Sequence, residues 1–213
     1  MPSTFVHLAF AGLIAAALLG DAYDKKAVLL VLAVTAVPDL DSFIALVSTA
    51  GHRTVLHTVW IPTVGAILLF VDVRVREQSL VVDRWGHWGV RVAWVSLVAY
   101  LVAHILLDMT DGVVNLFWPI HDQFYTLRGS MELSDRHGIV QTLFATDGTI
   151  PTLEAAGSTE DTEITTGVDP GSEQDQRVFP IFGAGWEFLI FLVGTAVTLV
   201  RFKLPHELPD EDN

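Results

Sequence analysis

Apolar residues in this chain come in blocks, without the alternation of a half-buried strand. Residues 4–20 carry no formal charge apart from any on His7, residues 27–37 are apolar except for Thr35, and the run resumes at 43–47. Further blocks cover 58–71, 92–107 and 181–200. A bilayer span needs about 20 apolar residues, with about 17 as the lower limit. The first and last blocks fit that length. The fourth fits if Arg91 snorkels to the interface, the second if it continues through Asp39 and Asp41, and the third if it begins near His57. The pattern therefore predicts helices over about 4–20, 27–47, 57–72, 90–109 and 179–203. That is an all-α, polytopic membrane protein with about five transmembrane helices, whose first helix lacks a basic leader and a cleavage site and is retained.

Basic residues give this arrangement a direction. Lys25 and Lys26, then Arg74, Arg76, Arg84 and Arg91, then Arg201 and Lys203 fall in three clusters. Placing all three in the cytoplasm puts the N-terminus outside the cell membrane and the C-terminus inside. His7, Asp39, Asp41, His52, His57, His104 and Asp108 then share the outer leaflet, and residues 1–146 form a membrane-embedded core. On the same outer side, residues 147–178 form an acidic stretch with Arg177 as the lone basic residue, which reads as a flexible loop. The tail 204–213 is acidic as well.

Composition sharpens the picture. The chain is 51% hydrophobic with a mean hydropathy of +0.47, too apolar for an ordinary soluble domain. Its net charge of −13, from 25 acidic against 12 basic residues, argues against nucleic acid and anionic headgroups as electrostatic partners. The same surplus of carboxylates is similar to proteins of salt-loving organisms. With no cysteine, any metal has to be held by His, Asp or Glu.

Three polar strings interrupt the apolar blocks: Pro38-Asp39-Leu40-Asp41, Gly51-His52-Arg53-Thr54-Val55-Leu56-His57, and His104-Ile105-Leu106-Leu107-Asp108. A charge at the bilayer centre costs roughly 3 kcal/mol even on gentle insertion scales, so such residues need a partner. His104 and Asp108 are one turn apart and can grip one ion; a simple His–Asp hydrogen bond fits the spacing equally well. Pro38 stops its helix at Val37. The two aspartates beyond it repel unless a cation lies between them, although capping of the next turn accounts for one of them. His52 and His57, five apart, work together only if His52 lies in a turn. Arg53 between them offers a fork of donors suited to phosphate or carboxylate. Snorkelling, or a pair with an aspartate, is its plainer role.

Taken together, Pro-Asp-Leu-Asp, Gly-His-Arg-x-x-x-His-Thr and His-Ile-Leu-Leu-Asp-Met-Thr-x-Gly-Val-x-x-Leu-x-Trp-Pro, with the early His7, resemble the LexA-regulated, membrane-bound metal-dependent hydrolase family, also called the YdjM family. The resemblance covers about residues 1–120. The order of the motifs is also faintly similar to zinc-dependent phospholipases C. The YdjM-family resemblance implies His7, Asp39, Asp41, His52, His57, His104 and Asp108 as metal-binding and catalytic positions, with Asp39 or Asp41 bridging metals or acting as general base. Arg53 would stabilise developing negative charge. Ser42 stands where the family usually has a histidine, Thr54 where it has glycine, and Asp111 where proline is common. Asp111, His121, His137 and Glu187 are further polar residues on the outer side; His87 and His206 fall outside the site. The expected activity is hydrolysis of a phosphate ester or lipid-like substrate by metal-activated water. Zn²⁺ is the expected ion given nitrogen and carboxylate ligands, and the lipid bilayer is the expected surrounding partner. A non-catalytic protein with a structural or ion-handling metal site is the alternative.

Overall fold

The computed structural model describes residues 2–44, 52–141, 153–162 and 180–204. Helix α1 (Thr4–Leu18) packs beside α7 (Gly185–Arg201), and small residues decide how closely. A Cβ on Gly194 would stand 2.2 Å from the Ala9 carbonyl oxygen, and one on Gly12 would stand 2.3 Å from Thr198 Oγ1. Close approach of this kind is how helices associate where water supplies no hydrophobic drive. Asp24 caps α2 (Lys25–Ala36) by accepting from the Ala27 amide at 2.8 Å. Pro38 then ends it, and a 3₁₀ turn over Pro38–Leu40 leads into the short α3 (Asp41–Ile44).

Helix α4 (Trp60–Arg74) runs antiparallel to α5 (Leu80–Ala99). Ser79 caps α5 by accepting from Val82 N at 3.1 Å while donating to Asp72 at 2.6 Å. The Asp72 carboxylate also accepts from the amides of Leu80 and Val81 at 3.0 and 3.1 Å. Gly86, at φ 64°, kinks α5. Beyond Ala99 the chain winds as a π-helix over Tyr100–Leu106 and returns to an α-helix, α6, over Leu107–Asp111. Two antiparallel pairs follow: β1 (Tyr125–Leu127) with β4 (Leu153–Ala155), and β2 (Met131–Ser134) with β3 (Gly138–Gln141). The core between α1, α2 and α5 is built from Ala11, Ala15, Ala27, Val31, Val95 and Ala99, and a second cluster around Ile105, Met109 and Val114 lies under the polar strings.

This architecture corrects the five-span, all-α expectation. Among the described residues one helical stretch, Leu80–Asp111, is long and apolar enough to cross a membrane, and α1 is a shorter apolar helix. The others are cut short by their own punctuation. α2 has 12 residues between Asp24 and Pro38, and α4 starts at Trp60 because residues 52–59 are spent in turns. The fourth helix is longer than the expected 90–109 because Ser79 and Asp72 start it at Leu80. The strands lie in the segment after α6, which the apolar blocks do not mark. Residues 45–47 of the expected second helix lie outside the described residues, as do 205–213 of the tail and all of 147–178 except 153–162.

The two ends of the helical body differ chemically. At one end Arg201 sits 5.6 Å over the Tyr23 ring, Lys26 sits 5.4 Å over Trp88, and Arg91 donates to the Leu18 carbonyl at 3.4 Å. The other end gathers the starts of α1 and α4, the residues after α2, and the π-turn before α6.

Candidate metal centre

Asp108 is the hub of that second end, and it is buried. Its Oδ1 accepts from Arg53 Nη2 at 2.7 Å and lies 3.3 Å from His7 Nε2. Its Oδ2 lies 3.1 Å from His57 Nε2 and 3.8 Å from His104 Nε2. The His57 and His104 Nε2 atoms are 3.1 Å apart, and Asp39 Oδ1 is 3.5 Å from His104 Nε2. Thr4 donates to the other Asp39 oxygen at 2.6 Å. Asp39 is also the open edge of the cluster, with its side chain 26% exposed where its neighbours are buried.

Local structure decides which nitrogen faces inward. The Ala103 carbonyl can only accept, so His7 carries its proton on Nδ1, 2.8 Å away. Asp41 does the same for two rings at once: its oxygens take Nδ1 of His52 and Nδ1 of His57, each at 2.7 Å. Ser42 Oγ also lies 3.1 Å from His52 Nδ1. With Nδ1 tied, the His7 and His57 rings turn Nε2 toward the cluster, as rings held by outer carboxylates and carbonyls do around metals, whereas buried His104 Nδ1 has no hydrogen-bond partner among the described residues. The Nε2 atoms of His57 and His104, 3.1 Å apart, need a proton or a cation between them.

Two groups of donor atoms result, His7 with His104 and Asp108, and Asp39 with His52 and His57, each with all its atoms within 4.8 Å of one another. These buried His and Asp groups could bind a metal ion. Nitrogen and carboxylate donors at bond lengths of about 2.0–2.2 Å imply ligand-to-ligand edges of roughly 3.3 Å around a tetrahedral ion, and the separations above bracket that figure. Charge points the same way. Asp108 meets the Arg53 guanidinium, and Asp39, Asp41 and Asp108 otherwise lie among four histidines, so protonated rings or a bound cation would offset the remaining negative charge.

The strand-like segment after α6 braces Arg53. Residue 53 has φ 65°, and its carbonyl accepts from the Asn115 amide at 2.9 Å while Nη1 donates to the Val113 carbonyl at 3.3 Å. A Cβ on Gly112 would fall 2.0 Å from Nη1, so the guanidinium needs a glycine there. Asn115 donates to Asp122, which also accepts from Thr159. Burial pushes the Asp122 carboxyl up, but these hydrogen bonds outweigh it and hold the group below the usual carboxylate range.

The profile of the YdjM inner membrane protein family matches residues 1–166. The chain belongs to that family. The match takes in every residue of the cluster and ends before α7. It bears on the YdjM likeness and leaves the phospholipase C likeness without support. No curated protein and no solved structure matches the chain.

The structure therefore brings together His7, Asp39, Asp41, His52, Arg53, His57, His104 and Asp108. Asp41 sits on Nδ1 atoms behind two of the rings, and buried Arg53 points at Asp108. His121 and His137 are exposed and belong to neither donor group, nor does Asp111. Glu187 is buried at the start of α7, where it accepts from Gly183 N at 2.6 Å, and it too stands outside both groups. The sequence reading missed Thr4, Ala103 and Gly112. Thr4 and Ala103 act through an ordinary hydroxyl and a backbone carbonyl, which leave no mark in a sequence. Gly112 lies inside the third motif, where its spacing was visible but its purpose was not.

Proposed function

We propose that this chain is a membrane-bound, metal-dependent hydrolase of an amphiphilic phosphate ester. The observation that supports it most is the convergence of imidazole nitrogens and carboxylate oxygens from residues 7 to 108, with Nδ1 of His7, His52 and His57 each held by an outer acceptor. His7, His104 and Asp108, with Asp39, His52 and His57, are the residues that would hold one or more ions, and zinc suits their mix of nitrogen and oxygen. A divalent ion in such a site acts as a Lewis acid and lowers the pKa of water to about 7.

The chain's own residues supply the remainder. Asp41 fixes the rotation and tautomer of His52 and His57. Asp39, held by Thr4 and partly open to solvent, is positioned to accept a proton from a nucleophilic water at Oδ1. Arg53 acts through Asp108, holding its carboxylate in place instead of meeting substrate. Its charge, in direct contact with Asp108, lowers the cost of negative charge nearby. The basic residues at the opposite end of the body favour that end as cytoplasmic and the site as facing away from it.

The test is metal analysis of the purified protein beside His104→Ala and Asp39→Ala. Both variants should lose bound metal, and unchanged content in both would overturn the site. Assay against phosphomonoesters, phosphodiesters and phospholipids then separates a hydrolase from a structural metal protein: turnover by the wild type that His104→Ala abolishes is the expected result.

A further inference from the structure

An apolar groove of about 430 Å³ runs along the seam of α4 and α5, walled by Pro62, Ala66 and Phe70 on one side and Trp94, Val98 and Leu101 on the other. Its volume is that of a ligand site, and among the described residues that line it none is charged. Phe70 is 54% exposed and Val98 37%, so the groove opens sideways onto the apolar surface of Leu80–Asp111, the stretch able to cross a membrane. Gly65 holds the two helices together beneath it: a Cβ there would lie 2.8 Å from Leu97 Cδ2. A slot between helices in contact is too narrow for another helix, which is 10–12 Å across, but it suits a single hydrocarbon chain.

One end of the groove is lined by residues close in sequence to the His/Asp cluster. Leu101 precedes His104 by three residues in the π-turn, and Pro62 follows His57 by five. The Tyr100 hydroxyl donates to the Leu56 carbonyl at 2.5 Å and pins the π-turn to the turn before α4. The lining residues Leu101 and Pro62 thus lead along the chain to His104 and His57. We propose that the α4–α5 groove binds the hydrocarbon chain of a lipid whose phosphate-bearing head lies at the His/Asp cluster. This deepens the hydrolase reading and rests on it for the position of the head, while the occupancy of the groove is read separately.

The experiment uses the full chain in phosphatidylcholine nanodiscs doped with a trace of phosphatidic acid carrying a diazirine on one acyl chain. A diacylglycerol with the same chain serves as the headless probe. After irradiation, labelled peptides are mapped by mass spectrometry, and metal content is measured on the same samples. The expected result is labelling of α4 and α5 peptides by the phosphatidic acid probe, with much weaker labelling by the diacylglycerol. Ala66→Trp and Val98→Trp, which fill the groove from opposite walls, should each lower that labelling about tenfold, the scale of a lost well-filled apolar site, with metal content unchanged. Labels that map elsewhere in the wild type would overturn the proposal. So would equal labelling by the two probes, which marks ordinary surrounding lipid, or labelling insensitive to both substitutions. A wild-type protein without metal would count against the hydrolase reading instead, and the wild-type label map would still decide the groove.

Discussion

Asp108 meets Arg53, His7, His57 and His104, so the chemistry of the site is decided around one carboxylate. Asp41 has a different task, because both of its oxygens are taken by Nδ1 atoms. Outer partners of this kind tune the ligands without touching the ion. Asp41→Asn should therefore keep the fold and weaken metal binding roughly 10–100-fold, which a competitive chelator titration would measure. Gly112 is the tightest point of the shell around Arg53. Gly112→Ala places a methyl against Nη1 and should destabilise the protein by about 1–3 kcal/mol, seen as a lower midpoint in thermal unfolding. Histidine and aspartate inside apolar blocks stand out in the sequence, so the members of the cluster were legible. Which nitrogen faces inward was not, because that depends on acceptors such as the Ala103 carbonyl that any residue could supply.

Elements are set by their punctuation more than by their apolar content. Asp72 shows this at the start of α5, where it gathers Ser79 and the amides of Leu80 and Val81. The Ser79 hydrogen bond, helped by the amides, holds its carboxyl below the ordinary value. A carboxylate whose folded pKa is depressed stabilises the fold above its unfolded pKa, about 3.9, and that stabilisation is lost as pH falls through the folded value. Thermal midpoints of wild type and Asp72→Ala should thus differ near neutral pH and converge on acidification below about pH 4. A constant gap across that range would show that the carboxylate charge is not what matters. Pro38 was legible as the end of α2, because proline stops a helix whatever surrounds it. The π-turn over Tyr100–Leu106 was not: its sequence, Tyr-Leu-Val-Ala-His-Ile-Leu, carries no local signal for the extra residue. Such bulges are frequent at functional sites, and this one carries His104.

At the scale of the whole molecule, counting apolar residues overstated the number of spans. Blocks of composition do not know where Asp24, Pro38 or Ser79 will begin or end a helix, and the strands after α6 are too short to show in hydropathy. The polarity of the body was legible, since Lys26, Arg91 and Arg201 gather at the end away from the cluster. If that end faces the cytoplasm, a fluorescent protein fused at the C-terminus should light up. Alkaline phosphatase inserted at Asp135, in the turn between β2 and β3, should be active. The reverse pair of results would place the site on the cytoplasmic face.

The cluster draws its donors from residue 7 to residue 108, half the length of the chain. During synthesis, therefore, no nascent fragment that stops short of Asp108 holds the complete set of candidate ligands. His7, Asp39, His52 and His57 are made before the π-turn and α6 that complete the cluster. If the cluster binds metal, a chain truncated before His104 keeps Asp39, His52 and His57 but loses His104 and Asp108 of the other donor group, and should emerge with less metal than the full chain.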